Sequence, residues 1–170
     1  MESKAIGVLG GGAWGTAFAQ ALARGGYKVQ IWALEPEVKE SVNSEHENKR
    51  YLPNIKLSPN LTVSNDIIEV ATDKELLVIA SPSLYLSSTI KKITGVPNIA
   101  DGSTVILALT KGFVPSPDGP KLILETIENI LPGIYKGNTV YVSGPSHAEE
   151  VAMGKLTGLI AASENPKQSI

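Results

Sequence analysis

Residues 5–16, Ala-Ile-Gly-Val-Leu-Gly-Gly-Gly-Ala-Trp-Gly-Thr, limit what this chain can become more than any other stretch. An apolar run stops at a cluster of glycines, and an alanine-rich run follows at once. Gly10, Gly12 and Gly15 satisfy the spacing G-x-G-x-x-G. In a strand-turn-helix each of them has a physical task. Gly10 permits the tight turn, Gly12 leaves the backbone open to a pyrophosphate, and Gly15 lets the helix lie close on the strand. The phosphates would meet the free N–H groups and the positive dipole end of the new helix. The alternative is a glycine-rich turn with a purely structural role. Strand-like residues before the cluster and a helical pattern after it favour dinucleotide binding.

With 170 residues, 42% hydrophobic and 19% charged, the chain reads as one soluble globular domain large enough for a real core. A formal net charge of -2 and a pI of about 5.7 give no general attraction to nucleic acid or to an anionic membrane surface. The sequence has no cysteine, which excludes disulfides and thiolate metal sites. No metal site is expected. No stretch is long and apolar enough to span a bilayer, and no signal-like segment precedes the first strand. A cytoplasmic location and no membrane insertion are therefore expected.

Strand and helix signals alternate from end to end. Lys4 to Leu9 is an apolar run of the kind a central parallel strand needs. The alanine-rich run from Ala13 is helical, with Gly25-Gly26 as its stop. Tyr27 to Ala33 alternates and is rich in β-formers, which gives a second strand. Pro36 to Asn43 predicts a short helix with proline at its first position. Asn43 to Asn60 is then a long polar excursion, functional or mobile, in which His46 reads as a solvated loop residue. Further strands are expected at Leu61–Val63, Leu76–Ala80, Thr104–Leu109 and Thr139–Ser143, with a last candidate at Thr157–Ala162. Helices are expected over 66–71, 84–93, 121–131 and 148–153. The fold class is α/β, a Rossmann-type doubly wound, mostly parallel sheet with helices on both faces, right-handed crossovers and the strand order 3-2-1-4-5-6.

Ligands in such sheets lie beyond the carboxyl ends of the strands, so those ends are where to look. An acid at the end of the second strand would bind the ribose 2′-OH of NAD, whereas a base would accommodate the 2′-phosphate of NADP. Glu35 is the nearest acid, slightly late, and could equally be a first-turn helix charge. No Arg or Lys lies nearby in sequence, though Lys39 is one helical turn beyond. The balance leans slightly to NAD, with NADP open. The fourth strand ends in Ser81-Pro82-Ser83, a small-residue turn that suits a cofactor but that any parallel sheet also needs. The fifth ends in Thr110-Lys111-Gly112. The Lys111 ammonium could hold a phosphate or stabilise charge developing on a carbonyl oxygen; the alternative is an ordinary solvated lysine. The sixth ends in Ser143-Gly144-Pro145-Ser146, where Ser146 offers a hydroxyl and Gly144 a bare N–H to a substrate phosphate or hydroxyl. His147 is a titratable neighbour without an obvious orienting carboxylate, since Glu149 and Glu150 suit a solvent-facing helix start.

Taken together, Gly10-Gly-Gly-Ala-Trp-Gly-Thr-Ala17, Asn48-Lys-Arg-Tyr-Leu-Pro-Asn54, Thr110-Lys-Gly112 and Ser143-Gly-Pro-Ser-His-Ala148 occur in an order that resembles the N-terminal half of bacterial-type NAD(P)-dependent glycerol-3-phosphate dehydrogenase. The resemblance covers essentially the whole chain. It implies that the dinucleotide, NAD or NADP, contacts the glycine loop including Ala13 and Trp14; Pro82 is the cofactor-binding candidate that the strand-end reading adds. It implies that Lys111 touches cofactor and substrate in an assisting catalytic role. Gly144 and Ser146 would touch glycerol 3-phosphate, a small phosphorylated substrate, and Ala148 would lie by the nicotinamide. The implied reaction interconverts glycerone phosphate and sn-glycerol 3-phosphate by hydride transfer and supplies a glycerolipid precursor. The resemblance also assigns proton transfer to a lysine in a helical C-terminal domain, and it leaves room for a homodimer of the full-length protein. Because the sequence stops at Ile170, the expectation is a dinucleotide-binding piece of a longer protein with little or no turnover alone. The competing expectations are a dinucleotide-sensing module without chemistry and another two-domain dehydrogenase, acting on hydroxy acids or sugar nucleotides.

Overall fold

The computed structural model describes residues 5–168. Seven strands form one sheet in the order β3-β2-β1-β4-β5-β6-β7. They are β1 (Ala5–Leu9), β2 (Lys28–Trp32), β3 (Leu61–Ser64), β4 (Leu76–Ile79), β5 (Val105–Ala108), β6 (Val140–Ser143) and β7 (Ile160–Ala162). Lys4, expected to open the first strand, lies outside the described residues. The pairings through β6 are all parallel; only β7 runs antiparallel to its neighbour. The expected order of the first six strands is therefore the observed one.

The strands read as near-continuous apolar runs because helices cover both faces of the sheet. Helices α1 (Ala13–Arg24), α2 (Pro36–Glu45) and α7 (Ala148–Ala152) lie on one face. Their Ala17, Ala19, Val38, Val42, Val151 and Ala152 pack with Val8, Ile31, Val78 and Val142 of the strands. Helices α3 (Ile67–Ala71), α4 (Leu86–Lys91), α5 (Pro97–Ala100) and α6 (Ile123–Ile130) cover the other. There Val70, Ile90, Ile99 and Ile127 meet Leu9, Leu77, Ile79 and Ile106. Alternate residues of β1 and β4 thus feed opposite cores, as a period of two dictates.

Several local expectations change. The helix expected over 84–93 starts late: Ser83–Tyr85 is a 3₁₀ turn, and α4 begins at Leu86. Leu84 and Tyr85 remain exposed while Leu86, Ile90 and Ile93 are fully buried, so the apolar drive begins only at Leu86. The helix expected from Lys121 begins at Ile123, because Lys121 and Val114 exchange backbone hydrogen bonds instead. The last strand is shorter than expected, and its residues are exposed. Gly158 lies against Gly144 at the carboxyl end of β6, and the chain enters β7 from there. It therefore runs back along the edge rather than making a full crossover. Residues 46–60 are anchored, not a loose excursion, because Asn48, Leu52 and Leu57 are buried. His46 is only half-buried and ends α2 in the left-handed region at φ 54°, its N–H bonded to Val42 O.

Candidate functional site

A cleft of about 640 Å³ opens beyond the carboxyl ends of β1, β4 and β5. Its floor is the glycine turn. Gly10 has φ +137°, and a Cβ there would lie 2.6 Å from Ala80 O. A Cβ on Gly15 would come within 2.1 Å of Gly10 O, so only a glycine lets α1 start this close to the turn. Gly12 is different: a Cβ there would meet nothing within 4 Å. It is the N-cap of α1 and supplies no side-chain cap. The first N–H groups of α1 are left for a ligand or water, at the positive end of a 12-residue helix.

The opposite wall comes from the ends of β4 and β5. Ser81 is buried there, and its hydroxyl has no partner among the described residues. Thr110 Oγ1 donates to Ser81 O at 2.8 Å and approaches Ile79 O at 3.3 Å. Tyr141 OH donates to Thr110 O at 3.2 Å. The residue before Lys111 is thus tied to β4 on one side and to β6 on the other. Lys111 itself is exposed, with Nζ 5.4 Å from the centroid of the Trp14 ring. The cation therefore lies across the start of α1. The indole Nε1 of Trp14 is buried and also unpartnered among the described residues. An open helix N-terminus, a cation and unpaired buried donors on one cleft are the chemistry that a phosphate-bearing dinucleotide needs.

Of the residues singled out from the sequence, Gly10, Gly12, Ala13, Trp14, Gly15, Pro82, Lys111, Ser146 and Ala148 line this cleft. Gly144 does not. A Cβ there would lie 2.5 Å from Gly158 O, so it is pressed against the entry to β7. It reaches the cleft only through Ser146, whose hydroxyl donates to Gly144 O at 3.2 Å. His147 is exposed at the N-cap of α7 and is not on the cleft wall.

At the end of β2 the structure shows what holds the Glu35 side chain. Glu35 is the N-cap residue of α2, and its carboxylate caps no helix N–H. It accepts a 2.7 Å hydrogen bond from Tyr51 OH instead, and both residues line the cleft. That bond, with partial burial, pushes the Tyr51 phenol above its usual pKa. The expectation that only Lys39 is near this corner needs correcting. The fold brings in Arg50, paired with Glu37, and Lys92, whose Nζ lies 5.7 Å from the Trp32 ring centroid. Asn48 was visible only as part of a motif. It is fully buried, and its Nδ2 donates to Gly11 O at 2.9 Å and to Thr16 Oγ1 at 2.8 Å. The polar loop therefore holds the glycine turn in place, across 37 residues of sequence.

Residues 5–169 match the family described as the N-terminus of NAD-dependent glycerol-3-phosphate dehydrogenase. The chain belongs to this family. A glycerol-3-phosphate dehydrogenase [NAD(P)+] of Treponema denticola is 46% identical over 171 residues, covering 97% of this chain and 48% of that protein. The crystal structure of a glycerol-3-phosphate dehydrogenase from Coxiella burnetii superposes with a TM-score of 0.84 at 31% identity, over 97% of this chain and 48% of the other. The chain spans about half the length of the curated relatives it matches. A UDP-D-ManNAc dehydrogenase of Pyrococcus horikoshii has a TM-score of 0.72 at 16% identity, covering 96% of this chain and 42% of that one. It shares the fold alone. Within the glycerol-3-phosphate dehydrogenase family, the glycine turn is thus set in a mostly parallel sheet of the expected kind. No helix among the described residues is long and apolar enough to cross a membrane.

Proposed function

We propose that the cleft holds NAD or NADP and that the chain is the cofactor-holding part of an enzyme interconverting glycerone phosphate and sn-glycerol 3-phosphate. The observation that carries this reading is the open N-terminus of α1 at Gly12, facing Lys111 across one cleft. The backbone at Gly12, Ala13 and Trp14 would hold the pyrophosphate, with Gly10 and Gly15 shaping the turn beneath it. Pro82 would flank the cofactor on the β4 side, and Ala148 would lie by its nicotinamide end. When bound, the nicotinamide supplies the hydride.

The chain's own residues have complementary tasks. Lys111 places positive charge where a carbonyl oxygen gains negative charge, and it offsets the substrate phosphate. Trp14 and Thr110 restrict where that cation can stand. Ser146 offers a hydroxyl to the substrate, and Gly144 fixes the turn that presents it. Proton transfer would fall to a lysine of a helical domain in the full-length enzyme, as the family resemblance implies. The 170-residue chain is accordingly expected to bind dinucleotide with little turnover.

Fluorescence titration with NADH and NADPH, alongside turnover of this chain and of the full-length enzyme, tests both halves of the reading. Saturable binding with negligible turnover by the chain, and robust turnover by the full-length enzyme, is the expected result. Failure to bind either dinucleotide would overturn it.

A further inference from the structure

We infer that Tyr51 is a positioning residue that aims the Glu35 carboxylate at the adenosine ribose and so favours NAD over NADP. The inference rests on the dinucleotide reading of the cleft. Glu35 sits at the end of β2, on the cleft wall, where a Rossmann-type sheet meets the ribose. Its backbone is pinned: Asn65 Nδ2 donates to Ala33 O at 2.8 Å and approaches Glu35 O at 3.3 Å. Its carboxylate is pinned as well, by Tyr51 OH on Oε1. A carboxylate has about four acceptor sites, so one bound phenol leaves room for a ribose hydroxyl. A 2′-phosphate would instead bring negative charge onto a fixed negative charge.

Tyr51 is well placed to set that geometry. Three residues before it, Asn48 is locked to Gly11 and Thr16 of the phosphate-binding turn. Asn48 Oδ1 accepts from Tyr51 N at 3.1 Å. One short segment therefore sets the position of Glu35 relative to the glycine turn, and these two points would hold successive parts of the same ligand. The corner also contains cations that would receive a 2′-phosphate. Arg50 is already paired with Glu37 and lies 5.3 Å from the Tyr51 ring centroid, and Lys92 rests over Trp32. Glu37 thus already offsets the Arg50 charge beside the fixed Glu35 carboxylate.

The test measures dissociation constants for NADH and NADPH with the wild-type chain, Tyr51→Phe, Glu35→Gln and the double variant, each checked for a cooperative melt. The wild-type chain is expected to prefer NADH by about tenfold or more, the scale of one hydrogen bond to a charged group. Tyr51→Phe should reduce that preference by at least about threefold, and Glu35→Gln should bring the ratio near one. The double variant should match Glu35→Gln, because Tyr51 acts only through the carboxylate. A purely structural tyrosine would weaken both cofactors equally and leave the ratio unchanged, which would overturn the inference. So would a wild-type preference for NADPH, or a Tyr51→Phe effect on the ratio that persists undiminished without the Glu35 carboxylate. If the wild-type chain bound neither cofactor, the reading of the cleft itself would fall, an outcome distinct from binding without discrimination. Glu35→Gln leaves the loop untouched and keeps the selectivity readable should Tyr51→Phe fold poorly.

Discussion

Replacing Gly15 by alanine and replacing Gly12 by alanine should separate folding from binding within one turn. At Gly15 the added methyl carbon would stand 2.1 Å from Gly10 O and 3.1 Å from the Ala80 methyl. Neither neighbour can swing away, since one is backbone and the other a short side chain on a packed strand end. An ordinary contact begins near 3.4 Å, so α1 or the turn must move by more than an ångström. Overpacking of this kind costs up to about 3 kcal/mol or more. The helix-propensity gain of alanine over glycine returns about 1 kcal/mol. A net loss of about 2 kcal/mol corresponds to a Tm lower by roughly 4–8 °C for a chain of this size. At Gly12 the same methyl meets nothing within 4 Å, and φ is -69°, a value that alanine accepts. Losing glycine at the N-cap costs about 0.5–1 kcal/mol, and the stiffer unfolded chain returns about as much. Stability should therefore be unchanged. The methyl would, however, occupy the space in front of the open N–H groups of α1. Losing one charge-assisted hydrogen bond of about 1.5–3 kcal/mol weakens binding by roughly 10- to 100-fold. Thermal melts and NADH titrations of both variants give the four numbers required. A Gly12→Ala chain that binds NADH like wild type would refute the placement of the phosphates. A Gly15→Ala chain that melts like wild type would refute the packing argument.

Asn48→Ala removes both Nδ2 hydrogen bonds and the acceptor for Tyr51 N–H, while Thr16 Oγ1 still serves Gly11 O. The expected cost is about 2–4 kcal/mol, a Tm drop of roughly 4–16 °C by calorimetry, together with weaker dinucleotide binding. Lys111→Ala removes an exposed cation from the Trp14 face, a contact of about 0.5–1 kcal/mol. Its Tm should therefore stay within about 4 °C, while turnover of the full-length enzyme falls by about 100-fold or more. Tyr135 donates to Thr104 O from a buried position, and burial pushes its phenol from 10.0 up to about 12. The unfolded chain thus releases this proton first as pH rises. The stability it contributes is intact below about pH 10 and drains as pH climbs towards about 12, and Tyr135→Phe should flatten that part of the stability–pH curve.

The parts of this molecule that were legible in its sequence are those whose physics is local. The glycine turn announces itself because the steric demands at Gly10 and Gly15 come from residues a few places away or from the adjoining strand. The inner strands are legible because burial on both faces leaves little choice but an unbroken apolar run, as in Leu76–Ile79. Lys111 is legible because a strand end followed by glycine points into the crevice of any such sheet. The direction of β7 was not. Its exposed residues carry no burial pattern, and its course depends on where α7 releases the chain.

The corner at Glu35 shows why the remaining site residues stay hidden. From sequence, Glu35 could be a ribose ligand or a helix charge, because the residues on either side allow both. What fixes the carboxylate is a phenol 16 residues away, held next to a buried amide 37 residues from the turn it supports. No periodicity links such positions. The segment that carries them is polar because it needs hydrogen-bonding side chains to hold other loops, and polarity is what makes it look like free loop. The same long-range closure brings Arg50 and Lys92 to a corner that appears free of nearby cations in sequence. The position of the Glu35 carboxylate is therefore set by contacts far away in sequence, and reading it requires the loop in its folded place.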